Sequence, residues 1–244
     1  MAIAGMGLHP PVWARPALVT AGASIAAAVV LAVVRLPARD AAVWAESLTV
    51  AVSVVALVAV TWWLTGRADR QDQHVVLTWG LGSGLVLGGL WIAEIAFNNL
   101  TPHTVSTAGT RGVLDNLTWA VVGMGTVVAA GGVAARTGRW RSGLRAGVWS
   151  GVGSGLGAAL GGAVLLACFR SFVEDDPLMR DEWRLRDHGV DLSLYVTRET
   201  MAGVGGHLWV LGVVQGALLG LLASSVIVAV IRHRPRRAAA EAGS

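Results

Sequence analysis

Six stretches of the chain carry apolar side chains almost without interruption, at roughly 17–35, 47–65, 75–97, 114–135, 146–169 and 200–231. About 20 apolar residues in helical form cross a bilayer core. Backbone polar groups have no water to bond there, so stretches of this length predict helices. The strict alternation of a barrel strand is absent. The pattern predicts an all-α fold: a polytopic membrane bundle of six transmembrane helices within residues 1–233. The first stretch is longer than the apolar part of a signal peptide, and five others follow it, so it is expected to stay as an uncleaved helix.

Polar stretches between the spans set the expected orientation. The link between spans four and five holds Arg136, Arg139, Arg141 and Arg145 and no acid. The chain after Ile231 holds Arg232, Arg234, Arg236 and Arg237. Arginine-rich short loops stay cytoplasmic, so both termini are expected inside. The longest link, 170–199, then lies outside. Asp176-Pro177 reads as an N-cap followed by proline at the first helical position. Met179 and Trp183 would share a face of that helix, and Gly189 would end it. A short helix on the outer membrane surface is expected there. Residues 234–244, basic and then alanine-rich, are expected to be a disordered cytoplasmic tail. Trp13, Trp44, Trp62, Trp63, Trp79, Trp119, Trp149 and Trp209 fall near predicted helix ends, which reads as an interfacial aromatic belt.

Composition narrows the class further. Charged residues make up 14% of the chain, against about 25% in soluble domains. All 19 basic residues are arginine, a bias expected of a GC-rich and so bacterial genome. The implied location is the cell membrane, with the lipid bilayer as the first partner. The pI near 10.8 does not mark a nucleic-acid binder, because these arginines are scattered over loops and not gathered on one surface. Cys168, the one cysteine, can form neither an internal disulfide nor a multi-cysteine metal site. It reads as a small buried apolar residue.

Two hexapeptides suggest an internal repeat. Residues 80–85 read Gly-Leu-Gly-Ser-Gly-Leu and residues 151–156 read Gly-Val-Gly-Ser-Gly-Leu. Glu46-Ser47-Leu48-Thr49 aligns with Asp115-Asn116-Leu117-Thr118, and Thr65-Gly66-Arg67 with Thr137-Gly138-Arg139. The spans then pair as three consecutive helical hairpins, related as parallel repeats about an axis near the membrane normal. Glycines recur every fourth residue in three spans: Gly80, Gly84 and Gly88; Gly147, Gly151 and Gly155; Gly212, Gly216 and Gly220. Such stripes let a second helix approach closely. They predict tight packing within one bundle, with homo-oligomer contact as an alternative. None has the strand-turn-helix setting of a nucleotide loop.

Ionisable side chains inside a membrane are costly and ask for an explanation. Glu94 lies a turn inside the third span, with Asn98 four residues on. Asp115 and Asn116 open the fourth span, and Arg170 closes the fifth. Glu199, His207 and Gln215, eight apart, drift around one side of the sixth. Together they predict a polar pocket in the outer leaflet, with Glu94 as its anionic centre and Arg170 as its charge partner. The competing reading is interfacial, with each residue capping or snorkelling at its own helix end. No metal-ligand spacing such as HExxH occurs, so neither a metal nor another cofactor is expected. Ser83 and Ser154 sit across the membrane from the histidine and the acids, which disfavours a hydrolase. The best functional expectation is a small transporter or permease-like component for an ion or small solute. The alternative is a non-catalytic sensor, regulatory or complex subunit. Against transport, the inner halves of spans three to six look almost wholly apolar.

Overall fold

The computed structural model describes residues 41–66, 70–187 and 189–241. Every regular element in this part is helical, with no strand. Helix α1 spans Ala41–Gly66. Helix α2 (Arg70–Val76) continues through a π-helical segment, Leu77–Leu81, into α3 (Gly82–Leu100) as one rod. Helix α4 is Ala108–Thr137, α5 is Trp140–Glu174 and α6 is Pro177–Arg186. Helix α7 (Leu192–Trp209) runs through a second π segment, Val210–Gln215, into α8 (Gly216–Glu241). Four rods are long and apolar enough to cross a membrane: Asp72–Leu100, Ala108–Thr137, Trp140–Glu174 and Leu192–His233. They mark a membrane protein. The first predicted span, 17–35, lies outside the described residues, as do Trp13 and the chain end 242–244. The last helix runs on to Glu241, through residues where the sequence suggests fraying.

Local chemistry explains the helix ends. Thr107 caps α4 by accepting from the Thr110 amide, while Thr110 Oγ1 accepts from the Thr107 amide, a reciprocal capping box. Gly138 ends α4 at φ 66, a left-handed conformation that glycine adopts without steric cost. Asp176 caps α6 by accepting from the Leu178 amide, with Pro177 at the first helical position.

Helix α5 is the axis of the molecule and touches α3, α4, α7 and α8. Its close neighbours are admitted by glycine. A Cβ at Gly147 would lie 2.5 Å from Gly220 Cα, and one at Gly216 would lie 2.9 Å from Gly147 O. A Cβ at Gly151 would run into the Leu211 carbonyl. The stripe Gly147–Gly151–Gly155 thus beds on the rod that carries Gly212, Gly216 and Gly220. On another side of α5, a Cβ at Gly80 would lie 2.7 Å from Ala146 O, and one at Gly84 would lie 2.7 Å from Ser150 O. Gly88 meets Gly153 and Gly157, and Gly161 meets Ile92 and Ile95. So α5 carries a second stripe, Gly153–Gly157–Gly161, which faces α3.

Three sequence expectations need correction. Trp149 is wholly buried beside Gly80, and Trp119 stacks inside the bundle. Neither joins an interfacial belt, because α5 begins at Trp140 and α4 at Ala108, well before the predicted 146 and 114. Trp44, Trp63 and Trp209 are exposed on the outside of the bundle. Cys168 is exposed, not buried. Lipid tails are as apolar as a protein core, so a small apolar side chain suits either side of a membrane helix.

Candidate functional site

Glu94 faces inward from α3 and is 7% exposed. On this helix Ser83, Leu87, Trp91, Glu94 and Asn98 recur at three- and four-residue steps and share one side. The Asn98 amide donates to Glu94 Oε1. Asp115, on the facing turn of α4, is close enough for its charge to act on Glu94. Two carboxyl groups and one amide therefore share the end of the α3–α4 seam nearest the α3–α4 link. Beside them an apolar groove of about 400 Å³ separates the two helices, lined by Leu90, Phe97, Val113, Leu114 and Leu117 with Glu94 among them. Val113 and Leu117 are largely exposed, so the groove opens sideways on the bundle.

The structure brings Glu94, Asn98 and Asp115 together and adds His207 and Gln215 deeper in the same seam. It does not bring in the rest of the expected pocket. Asn116 is exposed and turns its amide back to the Gly112 carbonyl, 2.7 Å away. Glu199 bears on the Tyr195 hydroxyl instead. Arg170 follows a break in α5 at Phe169, where φ is −130 and ψ 22. The groups that act most on Glu94 are Asp115 and Asn98. Helix-end spacing alone cannot give the direction of a side chain that follows a kink.

Below Glu94 lies an aromatic layer. Trp91 is buried and meets the Trp119 ring edge-on, 5.2 Å between centroids. The His207 imidazole packs against both, stacked on Trp119 at 5.5 Å and edge-on to Trp91 at 4.8 Å. Its Nδ1 donates to the Gly203 carbonyl at 2.8 Å. Since a carbonyl only accepts, Nδ1 carries the hydrogen and Nε2 holds the lone pair.

Deeper still, three hydroxyls from three helices meet. Ser83 Oγ and Thr126 Oγ1 each lie 3.2 Å from Ser150 Oγ. Each also contacts its own helix, Ser83 at Gly80 O and Thr126 at Val122 O. Ser154, one turn along α5, is wholly buried. Sequence reading passed over this layer because lone serines and threonines back-bond within a helix and give no outward sign of a partner.

Two ion clusters close the ends of the bundle. Asp176, 3% exposed, is paired by Arg111, whose Nε also bonds Ser106 Oγ at 2.8 Å and whose Nη2 lies 3.2 Å from His103 Nδ1. This clamps the α3–α4 link to the start of α6. At the opposite end Asp72 accepts from Ser142 Oγ at 2.6 Å and from Arg139 at 3.2 Å, and Arg136 lies over the Trp79 ring at 4.2 Å. Among the described residues, no three His, Cys, Asp or Glu side chains gather as metal ligands. No protein-family model matches the chain, and no curated protein or solved structure matches it either.

Proposed function

We propose that the protein is a six-span component of the cell membrane of a bacterium that moves an ion or small solute. The outer-leaflet recess around Glu94, Asn98 and Asp115 would be its binding point. The observation that carries this reading is the Glu94 carboxyl, buried beside a second acid next to an apolar groove. A charge at that depth is retained against a cost of several kcal/mol. The groups that act most on Glu94 are an acid and an amide. The recess therefore offers hydrogen-bond acceptors and negative charge, which suits a cation or a protonated solute.

In this reading both termini are cytoplasmic, the α3–α4 link and α6 lie outside, and the spans form three parallel hairpins. The two glycine-serine hexapeptides support the repeat by their placement: Ser83 of the first lies against Ser150, next to the second. Helix α6 carries Trp183, whose Nε1 bonds the Val190 carbonyl at 2.8 Å, and would rest on the outer surface.

The test is flux in reconstituted vesicles, followed with dyes for H⁺, Na⁺ and K⁺ and by swelling in small neutral solutes. Flux of at least one species above that of empty vesicles, lost in Glu94→Gln, supports the reading. Equal flux in the wild type and Glu94→Gln contradicts the recess, and no flux of any probe contradicts transport by the isolated chain. A second reading, a subunit of a membrane complex or a homo-oligomer, draws on an apolar cleft lined by Ile92, Ile95, Leu100, Leu160, Val164 and Phe169. A lone monomer in mild detergent would count against it.

A further inference from the structure

Helix α5 serves as a ruler for depth. Ser150 meets Ser83 and Thr126. Gly151 meets Leu211, Gly155 meets Leu208 and the His207 carbonyl, and Gly162 meets Thr200 and Val204. His207 is therefore level with Gly155, near the middle of Trp140–Glu174, and far from either helix end. Gln215 is two turns further in and sets its amide against Gly123 of α4. Ser154 lies on the strip of α5 between the two glycine stripes. Its neighbours on that strip are Ser150 on one side and Ala158, packed with Trp91, Val122 and Leu211, on the other. From the outer end inward, one seam thus presents Glu94 with Asn98 and Asp115, then Trp91, Trp119 and His207, then Gln215 and Ser154, then the three hydroxyls.

Several polar atoms in this seam lack a partner among the described residues. They are Trp91 Nε1, Ser154 Oγ, Gln215 Oε1 and Asn98 Oδ1. Trp91 is 1% exposed and Ser154 is 0% exposed. Buried polar atoms are costly to leave unbonded, and a run of them along one seam is the setting in which internal water is held. The ionisable side chains toward the Glu94 end of the rods around His207 are Glu94 on α3, Asp115 on α4 and Glu199 on α7, with Arg111 on α4 paired to Asp176. Helix α5 has no charged residue between Arg145 and Arg170, and α1 has none from Ser47 to Val60. Arg198 on α7 pairs with Asp187, at 3.7 Å. A stacked indole face attracts a cation, and here the stacked partner is an imidazole that becomes one on taking up a proton.

We propose that His207, half-buried in the bundle, is a proton-binding site, loaded from the outer side through Glu94, Asn98 and Asp115 and followed inward by Gln215, Ser154 and the Ser83–Ser150–Thr126 hydroxyls. The proton is then the ion the protein moves or couples to, which rests on the transport reading above. The chemistry is a transfer between lone pairs. A proton leaves a carboxyl or a water at the Glu94 end and joins Nε2, giving an imidazolium whose Nδ1–H stays on the Gly203 carbonyl. Its departure from Nε2 restores the neutral ring. Because one nitrogen both takes and returns the proton, the ring must change what Nε2 faces. The π segment that begins three residues later, at Val210, is where the helix is least regular.

The test uses the indoles as reporters, since an imidazolium stacked on tryptophan quenches its fluorescence. Full-length protein is reconstituted in lipid vesicles and compared with His207→Gln and with Trp119→Phe. Acidifying both sides with an ionophore should produce quenching in the wild type that both variants lose. A sudden drop in outer pH alone, with the interior buffered, should produce the same quenching, about tenfold slower or absent in Glu94→Gln. Asp115→Asn serves in its place if that variant does not fold. Identical responses of the wild type and His207→Gln at equilibrium would show that His207 takes up no proton. Quenching that follows only the inner pH would overturn loading from the outside. Absence of net flux in the vesicle assay, with this titration intact, would refute the transport reading and leave the proton site standing.

Discussion

The seams that α5 makes with α3 and α8 differ in kind from the seam between α3 and α4. Along α5 the helices meet backbone to backbone, with glycine against glycine at Gly88–Gly157 and Gly147–Gly220. No room is left there for a side chain. Between α3 and α4 the helices stand further apart, with large residues such as Leu87, Trp91 and Trp119 between them. That spacing admits Glu94, a groove beside it and an imidazole below it. In lipid no hydrophobic force draws helices together, so dispersion between closely fitted backbones must hold the bundle. The close seams supply that attachment. The looser seam is then free to hold polar groups that pack poorly. The buried acid and the imidazole lie where the bundle is least tightly closed.

Substitutions should separate the two kinds of seam. The largest effect is expected at Gly157. A Cβ there runs into Gly88, and backbone cannot move aside as a flexible side chain can. Overpacking costs about 1–3 kcal/mol where neighbours yield. Gly157→Val should exceed about 3 kcal/mol, read as loss of monodisperse protein in detergent, while Glu94→Gln elutes and melts like the wild type. Next comes the clamp between Arg111 and Asp176. Arg111→Ala leaves Asp176 buried without its cation, a change that costs about 3 kcal/mol and should lower the melting temperature. Asp176→Asn, which keeps the cap of α6, should cost less. Smallest is Ser150→Ala. It removes the hydroxyl shared by Ser83 and Thr126, but both of those retain a carbonyl on their own helices. About 1 kcal/mol is expected, measured by thermal unfolding.

How much of this was legible in the sequence varies by level. The rods were legible because apolar length decides them. Their starts were not, since α4 and α5 begin six residues before the apolar run, in mixed stretches such as Ala108–Val113 and Trp140–Arg145. Three glycine stripes were visible, while the stripe Gly153–Gly157–Gly161 on α5 emerged only from the contacts it makes with α3. Spacing shows that a face is smooth but not which helix lies on it, so the double-sided role of α5 needed the fold. Glu94 and Asn98 were legible as a pair because four residues fix a helical face. Asp115 lies close enough to act on Glu94, whereas Asn116, one residue on, bonds back to Gly112. Trp91, Trp119 and His207 come from three rods, and no local pattern links them. The two π segments have no compositional mark either.

The account turns on the difference between the open seam and the closed ones, and thiol accessibility measures that difference. With Cys168→Ser as background, Leu114→Cys places a half-buried thiol in the wall of the Glu94 groove. Ala163→Cys places one in the apolar core of α5. A membrane-impermeant thiol reagent is then added from the side of the α3–α4 link. The expected result is rapid modification at 114, slowed when the reagent is added from the opposite side, and none at 163 from either side. Equal labelling of the two positions, or an inert thiol at 114 from both sides, would contradict it.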